Sequence, residues 1–301
     1  MRIVAALGGN ALLERGERPD SEVQIGHIKQ AVAALAPLAA GHELLITHGN
    51  GPQVGMLALE TAADRALSHP YPFDVLGAQT QGMIGYWLVQ ELAGAGTGKP
   101  AVCLLCRTVV SASDPAFGAP TKFVGPAYTQ ARARRLAATH GWAMRQDGAA
   151  WRRVVPSPEP AELVELDIIK SLASRGAVVV CAGGGGIPVL REPGGTLRGV
   201  EAVVDKDLTA ALLARQTGAD ALLLLTDVDA VVAGYATPAQ RPIHLTTPEL
   251  LRTGSFPAGS MGPKVEAACR FAEQSQGMAA IGRLDQAAAL LAGTAGTIVK
   301  R

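Results

Sequence analysis

The chain has 301 residues, 48% of them apolar and only 18% charged, enough to bury a large core and too apolar for a disordered segment. Its 27 Lys and Arg against 26 Asp and Glu give no electrostatic case for nucleic acid or an anionic membrane as partner. Cys103, Cys106, Cys181 and Cys269 are too few for a disulfide framework at this length, and no run approaches the ~18 apolar residues of a membrane helix, so a soluble cytoplasmic protein is expected.

Strand and helix signals alternate along the chain. Residues 3–7 read as a buried strand that Gly8-Gly9-Asn10 cuts off, too short for a secretory signal. An amphipathic helix follows at 23–38, a strand at 44–47, then helical patterns from Val54 and over 75–92. Strands are expected at 101–105 and 177–182, with a helix at 161–174 between them. After Lys206 come a helix at 208–216, a strand at 221–226, a helix at 264–274, a strand at 278–281 and a last strand at 297–299. The strands are apolar throughout, without in-out alternation, which indicates a sheet covered on both faces. The fold class is α/β: a three-layer αβα sandwich on an open, mostly parallel sheet.

Residues 108–156 break that rhythm. Ser111-Ala112-Ser113-Asp114-Pro115, Gly118-Ala119-Pro120, Gly125-Pro126 and the prolines at 156, 158 and 160 flank one helical pattern at 128–139. So many turn residues mark an excursion from the main sheet, and long excursions of this kind tend to be lids or binding elements. Arg132, Arg134 and Arg135 read as a solvated helix face. The Cys103-x-x-Cys106 pair has no second pair or nearby His to complete a zinc set, and lies in an apolar run.

The familiar nucleotide loops fail on inspection. Gly98-Lys99 is followed by Pro100, and position 93 is Ala, so the G-x-x-x-x-G-K-[ST] loop is not met; Gly183-Gly184-Gly185-Gly186 lacks the third glycine of a dinucleotide fingerprint. What remains is four glycine turns after strand-like runs: Gly8-Gly9-Asn10, His48-Gly49-Asn50-Gly51-Pro52, Gly183 to Gly186, and Gly259-Ser260-Met261-Gly262. With them come Lys206, Lys264 and the acids Asp205 and Asp207. Ligands of open α/β sheets bind at the carboxyl ends of the strands, so these turns can line one crevice. Backbone N–H groups at helix starts favour anions, and two ammonium groups beside them suit a phosphoryl group in transit. His48 reads as structural.

The segments Ala6-Leu7-Gly8-Gly9-Asn10-Ala11, Thr47 to Gly55, Thr80 to Leu88, Asp114-Pro115-Ala116-Phe117, Pro120-Thr121-Lys122, Arg152 to Pro158, Gly183 to Val189, Asp205-Lys206-Asp207 and Gly259 to Lys264 together resemble carbamate kinase, in order and over nearly the whole chain. The resemblance implies the amino-acid-kinase fold and reversible phosphoryl transfer between ATP and carbamate, giving ADP and carbamoyl phosphate. It also implies Mg2+ with the nucleotide, a homodimer built on the N-terminal lobe, and ATP formation in arginine catabolism. It divides the chain into a lobe at 1–204, which binds carbamate or carbamoyl phosphate and carries a protruding lid at 111–156, and a nucleotide lobe at 205–301.

Residue by residue, Lys206, Lys264, Asp207 and Lys122 become the catalytic set, with Asp207 holding the two lysines and Lys122 closing over substrate. Gly8, Gly9 and Asn10 would serve the moving phosphoryl group, Gly49, Asn50 and Gly51 the carbamate end, and Asp227, Met261 and Lys264 the nucleotide; no protein metal ligands are expected. The role of Asp205 stays open. Related kinases place a lysine before the first glycine turn where this chain has Val4-Ala5-Ala6-Leu7, so Lys206 must supply that cation. The family usually has proline after the lid lysine; this chain has Phe123. Alternative readings are another small-acid or phosphate kinase of the same fold and a non-catalytic nucleotide sensor.

Overall fold

A computed structural model describes residues 1–14, 16–257 and 259–301, with Asn10 described in its backbone alone. One eight-stranded sheet forms the middle layer. Its strands run, from one edge, Leu245–Thr246, Thr297–Val299, Met278–Arg283, Ala221–Thr226, Arg2–Leu7, Glu43–His48, Val178–Val180 and Ala101–Cys103. Thr297–Val299 lies antiparallel to Met278–Arg283, and the six strands from there to Ala101–Cys103 are parallel. The sheet is therefore open and mostly parallel, as the strand composition requires.

Alternate residues of each strand enter opposite cores. Ile3, Ala5 and Leu7 face one side with Leu44, Ile46, Leu223 and Leu225, covered by α1 (Ser21–Gly41). Val4 and Ala6 face the other with Leu45, Leu222 and Leu224. Beside α1 lie α2 (Gly51–Ala63) and α3 (Phe73–Gly94), of which α3 shares the first core. After α4 (Gln130–His140) in the excursion, α5 (Leu166–Ser174), α6 (Lys206–Thr217), α7 (Pro248–Arg252) and α8 (Met261–Gln274) supply the second core. A short α9 (Ala287–Leu291) returns to the first face. Burying both faces of the strands gives the sheet its stability and leaves only the loops at its carboxyl end free for chemistry.

The excursion is a subdomain of its own: strands Lys122–Tyr128, Ala150–Val155 and Met144–Asp147 form an antiparallel sheet, with α4 against it. Thr129 caps α4, and Gly141 ends it in the left-handed conformation at φ +69°. The subdomain rests on α2. A Cβ on Gly55 would stand 1.9 Å from the Cα of Gly125, so only glycine permits this backbone-to-backbone approach. Val124 and Val155 bury against Val54, Ala58, Phe73 and Leu76 beside it.

Two expectations need correction. The helix read over 161–174 begins at Leu166, because Glu162–Leu163 pairs with Arg107–Val109 as a strand and Glu165 accepts the Arg107 N–H. That pairing belongs to a second sheet of four short strands, completed by Ile187–Arg191 and Leu197–Gly199, which the sequence reading did not contain. The four cysteines are unbridged, and burial pushes the thiols of all four upward, Cys106 to about 12 and Cys269 to about 11. Among the described residues no helix is long and apolar enough to cross a membrane.

Candidate active site

The strand Ala221–Thr226, its neighbour Arg2–Leu7 and the next strand Glu43–His48 end side by side, at the carboxyl end of the sheet where open α/β folds place their ligand cleft. Asp205 caps α6, accepting the N–H of Asp207 (2.9 Å) and Leu208 (3.2 Å) on Oδ1, so Lys206 and Asp207 occupy the first helical turn. Lys264 enters from the first turn of α8. The two ammonium groups converge: Lys206 Nζ donates to Asp207 Oδ1 at 2.8 Å and Lys264 Nζ to Asp207 Oδ2 at 3.0 Å. All three residues are less than 10% exposed.

Two cations on one buried carboxylate leave a local excess of positive charge that water does not dissipate. Burial works against ionisation of Asp207, yet Lys206 and Lys264 outweigh it and hold the carboxyl well below the usual range. Lys264 is raised: burial disfavours its charge, but Asp207 more than offsets this. Lys206 goes the other way, down to about 8, because burial leads and the Lys264 charge adds to it against the pull of Asp207. Lys206 thus bears the strain of the pair, and a bound polyanion would relieve it.

The glycine turns meet at the same place. A Cβ on Gly49 would lie 3.0 Å from the Gly9 nitrogen and 3.3 Å from Lys206 Cε, so the first two turns and Lys206 are in contact. The Gly8 N–H donates to Leu225 O and the Gly49 N–H to Leu7 O, both at 3.0 Å. These two N–H groups extend the hydrogen bonding of the sheet and are already engaged within it. α2 and α8 start without a side-chain cap, at Gly51 and Met261. The Asn10 side chain lies outside the described residues.

Gly183 to Gly186 form a buried turn that supports the second glycine turn from behind. A Cβ on Gly184, at φ +65°, would fall 2.2 Å from the Asn50 amide, and one on Gly183 would fall 2.2 Å from His48 Nε2. Asn50 Nδ2 donates to Thr80 Oγ1 at 2.8 Å, fixing the amide. His48 donates from Nδ1 to its neighbour's carbonyl at 2.9 Å, and burial lowers its pKa to about 4. It is a neutral structural ring, as read from the sequence.

A model of the amino acid kinase family matches residues 1–282. The chain belongs to the amino acid kinase family. Among its relatives, the carbamate kinase of Rhizobium meliloti is 52% identical, the match covering 99% of this chain and 93% of the relative. That of Escherichia coli K12 is 48% identical over 99% and 98%. The structure of the Giardia lamblia carbamate kinase bound to citric acid superposes with a TM-score of 0.93 at 38% identity, covering 99% and 98% of the two chains. The same enzyme bound to AMP-PNP gives 0.89 at 39%.

Within this amino acid kinase fold Lys122, from the antiparallel subdomain, reaches the start of α6: its Nζ donates to Asp205 Oδ2 at 2.5 Å. Phe123 beside it faces Gly259, where a Cβ would stand 3.6 Å from the ring, and Arg152 lies over its other side at 5.5 Å. Asp227 follows the strand next to Arg2–Leu7 and is exposed at the cleft end of the sheet. Met261 turns toward the second core, so its side chain packs rather than faces outward.

The sequence reading assigned no role to Thr80, Gln81, Thr108 or Thr209. Gln81 spans Cys106 and Gly183 with both ends of its amide, and Thr108 and Thr209 both donate to Gly185 O. Buried polar residues on α3 (Thr80, Gln81), on the strand Arg107–Val109 (Thr108) and on α6 (Thr209) are the signal that marks them, since such groups stay only where partners satisfy them.

Proposed function

We infer that the chain is a carbamate kinase, catalysing ATP + carbamate = ADP + carbamoyl phosphate. The observation that carries this is the convergence of Lys206 and Lys264 on Asp207 beside the Gly9–Gly49 contact, in a chain about half identical to carbamate kinases along its length. Carbamate already presents an anionic oxygen, so no general base is required, in keeping with a neutral His48. Positioning and charge neutralisation supply the catalysis, with no covalent intermediate.

The strand order suggests the layout. Asp227 and the start of α8 take the nucleotide, Gly9 and Asn10 the moving phosphoryl group, and Asn50 and Gly51 the carbamate end, each on one of three neighbouring strands. Residues 205–301 then form the nucleotide lobe and 1–204 the carbamoyl lobe, with the lid at 111–156 above both. Lys264 follows the phosphoryl group from the nucleotide side, and Lys206 neutralises its oxygens. Both cleft carboxylates are paired with lysines, so Mg2+ fits as part of the nucleotide substrate, held by phosphate oxygens and water.

A homodimer through the N-terminal lobe would cover exposed Tyr86 of α3 and Leu105, which follows the open edge strand Ala101–Cys103. The ATP-forming direction uses the mixed anhydride of carbamoyl phosphate as donor, and arginine breakdown is the proposed setting. The test is a coupled assay for ATP from ADP and carbamoyl phosphate, with acetyl phosphate alongside. Preference for acetyl phosphate would transfer the assignment to another small-acid kinase, and ADP binding without turnover to a nucleotide sensor.

A further inference from the structure

The two oxygens of Asp205 do different work. Oδ1 accepts the N–H groups of Asp207 and Leu208 at the start of α6, and among the described residues Oδ2 accepts from the lid lysine alone. A cap needs one neutral acceptor, and asparagine or serine caps a helix about as well as aspartate. A negative charge suits a helix start, but the cap leaves the second oxygen unexplained. That oxygen is explained by Lys122, which lies 83 residues away in the sequence and arrives on a separate subdomain.

The lid is attached at several other points. Gly125 sits on Gly55 of α2, and the Arg153 guanidinium lies 4.1 Å from the Trp142 ring centroid, 4.7 Å from that of Phe73, and 3.6 Å from Glu201. At the cleft end, the Lys122–Asp205 pair is joined by the contact of Phe123 with Gly259 and by Val203, two residues before Asp205, whose N–H donates to Pro156 O at 2.9 Å and whose side chain buries with Val124 and Val155. The Asp205 side chain is 10% exposed and that of Lys122 30%, so the pair sits at the mouth, partly shielded from water. Burial works against the charge on Asp205, and Lys122 is the largest influence opposing it, leaving the carboxyl lowered.

We propose that Asp205 is a positioning residue that docks the lid lysine Lys122 at the phosphoryl site, so that one carboxylate sets both the start of the Lys206 helix and the place of the lid. This deepens the kinase reading and rests on it. Three ammonium groups and two carboxylates then alternate along the cleft as Lys122, Asp205, Lys206, Asp207 and Lys264, with one net positive charge awaiting the substrate's phosphates.

Asp205→Asn tests this, because the amide oxygen still caps α6 while the charge facing Lys122 is gone. The expected result is a KM for carbamoyl phosphate raised on the order of tenfold to a hundredfold, the scale of a misplaced binding group. The Kd for ADP should stay within about twofold and thermal stability should hold, since the cap remains. Lys122→Met should raise the same KM, and the double variant should be no worse than the more impaired single one, since residues acting through one contact are non-additive. In the substrate-free chain, Asp205→Asn should speed amide hydrogen exchange over 122–128. A normal KM in Asp205→Asn, multiplying effects in the double variant, or unchanged exchange each overturns the docking. An unsubstituted chain that forms no ATP from carbamoyl phosphate overturns the kinase reading instead, whatever the exchange shows.

Discussion

The Lys206–Asp207–Lys264 cluster and the lid lysine carry similar charges on very different foundations. The cluster stands on the first turns of α6 and α8, whose bodies lie in the second core, and each of its members is nearly enclosed. Lys122 stands at the end of a strand in a three-stranded sheet that touches the main body through a glycine contact, one apolar patch and a few ionic contacts. On the proposed mechanism, the charges that act on the transition state stand on the enclosed cluster, and the charge that closes over substrate stands on the more lightly attached subdomain.

The strongest way to break that contrast is to remove a cluster cation. Lys264→Ala and Lys206→Ala should each lower kcat about a hundredfold or more, the effect of deleting a donor to developing charge; steady-state rates with saturating ADP and carbamoyl phosphate measure it. Near-normal turnover would place the chemistry elsewhere. Asp207→Ala leaves two buried ammonium groups facing one another and should destabilise the fold by about 3–5 kcal/mol, read from urea unfolding. A melt like that of the unsubstituted chain would mean the cluster is not as enclosed as described.

pH sharpens the contrast further. A lysine is charged below its pKa, so with Lys206 at about 8 the free enzyme holds its anion-binding charge at neutral pH and loses it as pH rises past 8. kcat/KM for carbamoyl phosphate should fall toward tenfold per pH unit above that point, whereas kcat, measured with the anion bound, should break at higher pH. On the lid side, Arg153→Ala removes the guanidinium between Trp142 and Phe73 and should weaken lid docking by about 1–2 kcal/mol, seen as faster tryptic cleavage in 130–155 with kcat little changed. The smallest effect is expected of Phe123→Ala. It loses the contact with Gly259 and should raise KM about two- to threefold; a collapse of kcat there would erase the distinction between the two regions.

Much of the framework was legible because burial on both faces writes long apolar runs. The strands at 221–226 and 297–299 match residue for residue, and α6 and α8 start within three residues of the expected points. The second sheet was not legible: its strands have two to five residues, too few for a period to show, and Glu162–Leu163 carries residues that favour helix. The lysines of the cluster were found because each opens a helix, where a cation opposes the macrodipole unless an anion is near. The partner of Lys122 was beyond reach, since pairing across 83 residues leaves no local mark. Asp205 was the reverse case. Its capping position is legible as an acid directly before a helical run, although the sequence alone does not tell which of Asp205 and Asp207 starts the helix.

The central sheet also acts as a ruler. Neighbouring strands lie about 4.8 Å apart, and the three loops assigned to acceptor, phosphoryl group and nucleotide leave from three adjacent strands of one continuous sheet. On the proposed layout, the span between attacking and departing oxygens would be set by the backbone hydrogen bonds that hold those three strands in register. Such a molecule would carry its working distance in its own middle layer from one turnover to the next.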